Sequence, residues 1–183
     1  MKIELDNKLD FNNVLIRPKR TVLTSRSEVD LIREFKFPHS NTKWLGIPLI
    51  VANMDTTGTF EVYDELKKHK VITALHKFYN VPDYIERKDE LESDYFMVST
   101  GITDNDFERL ENILRVIDVK WICIDVANGY MEKLVTFCRK VRESYPDKIL
   151  VAGNVVSREM TEELILNGKV DIVKVGIGPG SAC

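Results

Sequence analysis

Asp171-Ile-Val-Lys-Val-Gly-Ile-Gly-Pro-Gly-Ser-Ala-Cys183 is the stretch around which this 183-residue chain is organised. Ile172, Val173 and Val175 make a short β-branched run suited to a buried parallel strand, and Gly176, Gly178, Pro179 and Gly180 forbid its continuation. A strand therefore leads into a glycine-rich loop that carries a cysteine. Glycine permits positive φ and close backbone approach, so such a loop can turn several N–H or C=O groups toward one ion or anion. The same residues also read as a strand-ending turn with an incidental thiol. The loop is neither a P-loop nor a complete G-x-G-x-x-G fingerprint.

Working outward, apolar runs that predict strands occur at 48–53, 71–75, 95–99, 121–125, 149–152 and 172–175. Stretches of helical period lie between them, at 60–69, 82–91, 106–117, 131–143 and 157–166. Thr103 and Ser157 offer N-cap oxygens followed by acids, and Asn167-Gly168 is expected to stop the last helix in the left-handed region. Repeated βα units with near-continuous apolar strands imply a parallel sheet covered by helices, either doubly wound or a (β/α)₈ barrel. Residues 1–47 show little periodicity and read as a strapping segment with a small hairpin. The whole chain is expected to form one domain.

Both folds place function in the loops after the strands. Those loops carry Asn53 and Asp55, His76-Lys77, Thr100-Gly101, Asp125 and Asn128, Gly153-Asn154, and the glycine loop with Cys183. Each polar residue alone reads equally as a turn or cap. Lys77 could bind a phosphate or carboxylate, and His76 could move protons near neutral pH. His39 and His69 are expected at the surface.

The formal net charge of −3 gives no case for a nucleic-acid or membrane-surface partner. No apolar run approaches a membrane span and the N-terminus lacks an apolar h-region, so a cytoplasmic protein is expected. Three cysteines without C-x-x-C spacing suggest neither a disulfide framework nor a zinc site. Cys123 and Cys138 fall in apolar and helical patterns and are expected in the core.

Gly176-Ile-Gly-Pro-Gly-Ser-Ala-Cys183 resembles the active-cysteine loop of the IMP dehydrogenase and GMP reductase family, whose members are (β/α)₈ barrels. Residues 11–20, Ser25-Arg26-Ser27, Val51-Ala-Asn-Met-Asp-Thr56, Cys123-Ile-Asp-Val-Ala-Asn-Gly-Tyr130 and Ala152-Gly-Asn-Val-Val156 carry the resemblance across the chain. Asn53, where dehydrogenases usually have proline, and Ala74-Leu-His-Lys77 are similar to the reductase pattern. No room exists between the second and third strands for a paired regulatory module.

The resemblance implies reductive deamination of GMP to IMP and ammonia with NADPH, with Cys183 forming a thioimidate at purine C2 and Lys77 as the second catalytic residue. It implies a dinucleotide site at Lys77, Asp125, Val126, Ala127, Ile177 and Gly178, with Ser25 and Arg26 reaching in from a neighbouring subunit of a homotetramer. Backbone carbonyls of Gly178, Gly180 and Cys183 match positions that bind K⁺.

Ala182, Thr57 and Lys169 depart in minor ways. The family pattern continues past the cysteine with Thr-Thr-Arg, two more strands and further substrate-binding loops. About six of eight βα units are therefore expected here, an incomplete barrel with little turnover of its own unless a complementing C-terminal chain is supplied. Alternatives are an IMP dehydrogenase without its regulatory module, a non-catalytic barrel that oligomerises with a complete homologue, and an unrelated doubly wound dehydrogenase.

Overall fold

The computed structural model describes residues 11–178 together with Asn7 and Leu9, so Gly180 and Cys183 of the expected site lie outside the described residues. Contacts divide the chain into two compact units, Met1–Asp30 and Leu31–Cys183. The first contains two short 3₁₀ turns, Phe11–Asn13 and Arg26–Glu28. Ser25 caps the second turn, its hydroxyl accepting from the Ser27 N–H. Thr24 donates its hydroxyl to Glu28 at 2.6 Å.

The second unit opens with an antiparallel hairpin, β1 (Arg33–Phe37) and β2 (Thr42–Gly46). The hairpin expected within residues 1–47 is present here. Six parallel strands follow in the order of the chain: β3 (Ile50–Val51), β4 (Ile72–Leu75), β5 (Phe96–Thr100), β6 (Trp121–Asp125), β7 (Ile149–Val155) and β8 (Ile172–Val175). Helices α1 (Phe60–Leu66), α2 (Val81–Glu86), α3 (Asp104–Leu114), α4 (Glu132–Ser144) and α5 (Arg158–Leu166) form the successive crossovers. The sheet is curled, six strands of the eight that close a (β/α)₈ barrel. Strands β3 and β8 are its edges.

Side chains alternate between two cores. Leu75, Phe96, Val98, Ile122, Ile124 and Leu150 face the helices. Ile72, Ala74, Met97, Trp121, Cys123 and Val151 face the barrel interior with Phe37 and Trp44 of the hairpin. Trp44 and Trp121 meet edge to face, with ring centroids 5.5 Å apart, and both indoles donate to the Asp94 carbonyl. The hairpin thus covers the end of the barrel where the strands begin.

Asp171 anchors that cover. Its carboxylate accepts from the N–H groups of His39, Ser40 and Leu150 and from Arg142 Nη2 at 2.6 Å. Arg142 also donates to the carbonyls of Lys169, Pro146 and Lys148. Both side chains are buried, that of Asp171 completely.

Several boundaries differ from expectation for local reasons. The first strand shrinks to two residues because it is an edge and Pro48 can donate no ladder hydrogen bond. The helix expected over 60–69 ends in a 3₁₀ turn, Lys67–His69, capped by Lys70 at φ 58°. Helix α5 does not stop in the expected way. Asn167 is right-handed, and the left-handed residue is Lys169 at φ 57°. Gly168 serves close approach instead, since a Cβ there would lie 2.7 Å from the Leu164 carbonyl oxygen. Ser157 and Thr103 are the expected caps, accepting from Met160 and Asp106 N–H.

Thr103 and Asp106 form a reciprocal capping box on α3, Asp106 Oδ2 accepting from Thr103 N at 2.9 Å and from its hydroxyl at 2.6 Å. Burial pushes the Asp106 carboxyl up, but the Thr103 hydrogen bonds, Arg109 and Lys77 together hold it below its ordinary value. A carboxyl depressed in the folded state contributes stability above the unfolded pKa and loses it as pH falls toward the folded one. Asp106→Ala is expected to cost about 1 kcal/mol at neutral pH. The difference from wild type should shrink in acid, as read by denaturant titrations at several pH values.

Candidate active site

The C-terminal ends of the strands surround a cleft of about 520 Å³ lined by Asn53, Cys123, Asp125, Asn154, Lys174 and Gly176 among others. The site's elements follow from the sheet register: Asp125 on β6 pairs with Gly153 on β7, which pairs with Lys174 on β8. All three occupy one row facing the interior, one layer above Cys123, Val151 and Ile172. Lys174 Nζ donates to Asp125 Oδ1 and, at 3.0 Å, to Asn53 Oδ1.

Gly153 makes this row possible. A Cβ there would lie 2.6 Å from Lys174 Cβ and 2.5 Å from its carbonyl oxygen. Gly153→Ala is expected to destabilise the fold by about 1–3 kcal/mol through overpacking, checked by thermal unfolding.

Of the expected dinucleotide residues, Asp125 lines the cleft. Val126 follows it, its N–H donating to Gly153 O at 2.9 Å, and Ala127 is exposed. Ile177 and Gly178 continue from Gly176 and are exposed, with Gly176 at φ 143° and Gly178 at φ 61°. Among the described residues, no atom lies within 4 Å of the position a Gly178 Cβ would occupy. The expected glycine-permitted turns are therefore present as far as residue 178. Ser25 and Arg26 belong to the Met1–Asp30 unit and are exposed there.

Lys77 stands apart from the cleft lining. It is exposed, with its ammonium 5.9 Å from the Phe78 ring centroid, and its charge reaches Asp106. Its loop is firmly held. His76 stacks on Tyr79 at 4.0 Å, and its Nδ1 accepts from Phe78 N–H at 3.3 Å. Arg109 donates to the carbonyls of Tyr79 and Ser99, joining the loop after β4 to strand β5. His69 is exposed and His39 half-buried. Asn128 is a turn residue whose Oδ1 accepts from Tyr130 N–H.

Lys174 was not expected in the site. It interrupts an apolar strand and shares a face with Ile172, and a lysine on an inward face is costly unless paired. That mismatch was the available signal. Its partners were not legible, because the register that aligns it with Asp125 is a property of three strands together.

Cys123 and Cys138 are free and buried, as expected. Desolvation pushes Cys123 up to about 11 and Cys138 up to about 12, so neither supplies thiolate near neutral pH. Both should resist alkylation in the folded protein, as read by peptide mass mapping after brief iodoacetamide treatment. No group of metal-ligating His, Cys, Asp or Glu occurs among the described residues, and no described helix is long and apolar enough to cross a membrane.

Residues 8–183 match the family model described as the IMP dehydrogenase / GMP reductase domain. The chain is 57% identical over 187 residues to a GMP reductase of Buchnera aphidicola subsp. Baizongia pistaciae, covering all of this chain and 53% of that protein. It is 54% identical to a GMP reductase of Yersinia enterocolitica, covering all of this chain and 54% of that one. Among solved structures, the inosine 5' monophosphate dehydrogenase of Legionella pneumophila matches with a TM-score of 0.77 at 25% identity, over 96% of this chain and 52% of that one. The chain spans about half the length of the curated relatives it matches. With nearly every residue inside the family model and half or more identical to those reductases, the chain belongs to the IMP dehydrogenase / GMP reductase family.

Proposed function

We propose that this barrel catalyses the NADPH-dependent reductive deamination of GMP to IMP and ammonia. The observation that carries the reading is the interior row Asp125–Gly153–Lys174 at the strand ends, beside a strand that runs directly into the Gly176–Gly178 turns. The reductases at 50–57% identity support the reductase over the dehydrogenase branch.

In this reading the Cys183 thiolate attacks C2 of the guanine ring, the C2–N bond to the exocyclic amine breaks, and ammonia leaves with the proton it needs. A thioimidate at Cys183 results. NADPH, when bound, supplies the hydride that converts C2 to the IMP oxidation level, and the C2–S bond breaks to return the cysteine. Lys77 is the second catalytic residue in this reading, its ammonium acting from the rim, on a loop fixed by His76, Tyr79 and Arg109, to stabilise negative charge once substrate spans the mouth. Asp125 offers carboxylate oxygens to ribose hydroxyls, with Val126, Ala127, Ile177 and Gly178 supplying neighbouring backbone. Ser25 and Arg26 belong to the dinucleotide site of an adjacent subunit, the arginine on a phosphate.

The exposed left-handed turn at Gly178 suits a backbone carbonyl that would help hold K⁺. Gly180 and Cys183 would complete that ligand set. The protein is a cytoplasmic homo-oligomer, a tetramer, in this reading. Segments equivalent to the second half of the relatives, on this chain or a complementing one, complete the barrel.

The test is product analysis with the protein purified from its own source. IMP and ammonia should form in equal amounts with NADPH consumed. Faster NADH formation from IMP and NAD⁺ would assign the dehydrogenase reaction instead.

A further inference from the structure

Asp125 and Lys174 lie on strands two apart, so about 10 Å of backbone separation must be bridged by their side chains. The intervening partner, Gly153, has no side chain to block them. The lysine stem reaches across the glycine, and its ammonium takes Asp125 Oδ1 as one acceptor and Asn53 Oδ1 as another. Asn53 follows β3, the edge of the sheet opposite β8. One ammonium therefore joins both sheet edges and the central strand β6 across the mouth of the cleft. Two of its three N–H donors are committed. The side chains are 30% and 29% exposed, which leaves the pair partly shielded from solvent and stronger than a surface ion pair.

This arrangement differs from that of a ligand-seeking lysine. A free ammonium aimed into a cleft would keep its donors for the ligand. Lys174 instead spends them on two groups that are themselves at the mouth. Its charge offsets that of Asp125, and its hydrogen bond engages Oδ1 of that carboxylate.

We propose that Lys174 is a positioning residue: it orients Asp125 and Asn53 so that the barrel mouth receives the dinucleotide, and it acts on binding through them. The dinucleotide part rests on the function proposed above. The tie itself rests on the hydrogen bonds and the register alone.

A double-mutant cycle separates the two. Lys174→Met keeps the stem and removes the charge, Asp125→Asn removes the partner, and Lys174→Arg restores a cation. In the protein as isolated, Lys174→Met and Asp125→Asn are each expected to raise the NADPH dissociation constant roughly tenfold, and the double variant no more than about twofold further. Lys174→Arg should recover affinity to within about threefold, and kcat should change far less than KM for NADPH in all of them. Effects that multiply in the double variant, to about a hundredfold, would show that Lys174 acts independently of Asp125 and overturn the proposal. Unchanged affinity in Lys174→Met would overturn it too. If the wild-type protein binds no NADPH, the dinucleotide reading fails, and the same cycle measured on unfolding midpoints decides the tie. Coupling there supports it, and additive effects overturn it.

Discussion

Cys183→Ser is expected to reduce GMP turnover by a factor on the order of 10⁴ or more while leaving NADPH affinity within about twofold of wild type. The proposed reaction breaks a bond between C2 of an aromatic purine and its exocyclic nitrogen, which water attacks slowly. A thiolate attacks better and leaves better in the later step, whereas a serine hydroxyl is almost wholly protonated near neutral pH. No other described thiol can take over. Cys123 lies beneath Asp125 and Lys174 in the interior, but burial holds it as the neutral thiol, and Cys138 is packed among the helices. Steady-state rates with GMP and NADPH, together with NADPH titration of the variant, separate lost chemistry from lost binding.

Asp171→Asn is expected to lower the folding free energy by about 3–5 kcal/mol, because it leaves the Arg142 guanidinium as an uncompensated buried charge. The carboxylate has four donors, three of them backbone N–H groups from the hairpin tip and β7. An asparagine can accept on one oxygen only, and its amide then meets donors where it offers hydrogens. Replacing both members by Leu and Met should not rescue the fold, since the N–H groups of His39, Ser40 and Leu150 would remain without acceptors. Denaturant unfolding of both variants checks the magnitude and the absence of rescue. The consequence for the site is indirect. Asp171 stands three residues before Lys174 on the same segment, so loosening the closed end frees the strand that carries the lysine into the mouth.

Much of the fold was legible because local and tertiary preferences agree. The runs 121–125 and 172–175 form parallel strands with the expected bounds, the first buried and the second, at the sheet edge, only partly buried with Val175 exposed, and the caps at Thr103 and Ser157 are those their side chains predict. The failures have physical causes. Asn167-Gly168 carries a standard stop signal, yet packing of Gly168 against the Leu164 carbonyl uses the glycine for space and transfers the left-handed conformation to Lys169. The candidate site was legible in its loops but not in its interior. Asp125 stands where a strand ends and so announces itself. Lys174 hides inside a strand, and only the alignment of β6, β7 and β8 reveals what it meets. Lys77 was expected with the other site residues, and the structure places it on a separate part of the rim, facing Phe78 and Asp106.

The central claim is that a cysteine at the end of the glycine loop forms a covalent bond to purine C2 with loss of ammonia. Incubating the protein with GMP and NADP⁺, which occupies the dinucleotide site without supplying hydride, and mapping the peptides by mass spectrometry tests it most directly. The account predicts a nucleotide adduct on the Cys183 peptide with ammonia released in equal amount, absent in Cys183→Ser. Ammonia release without an adduct at Cys183, or an adduct on another residue, would contradict it.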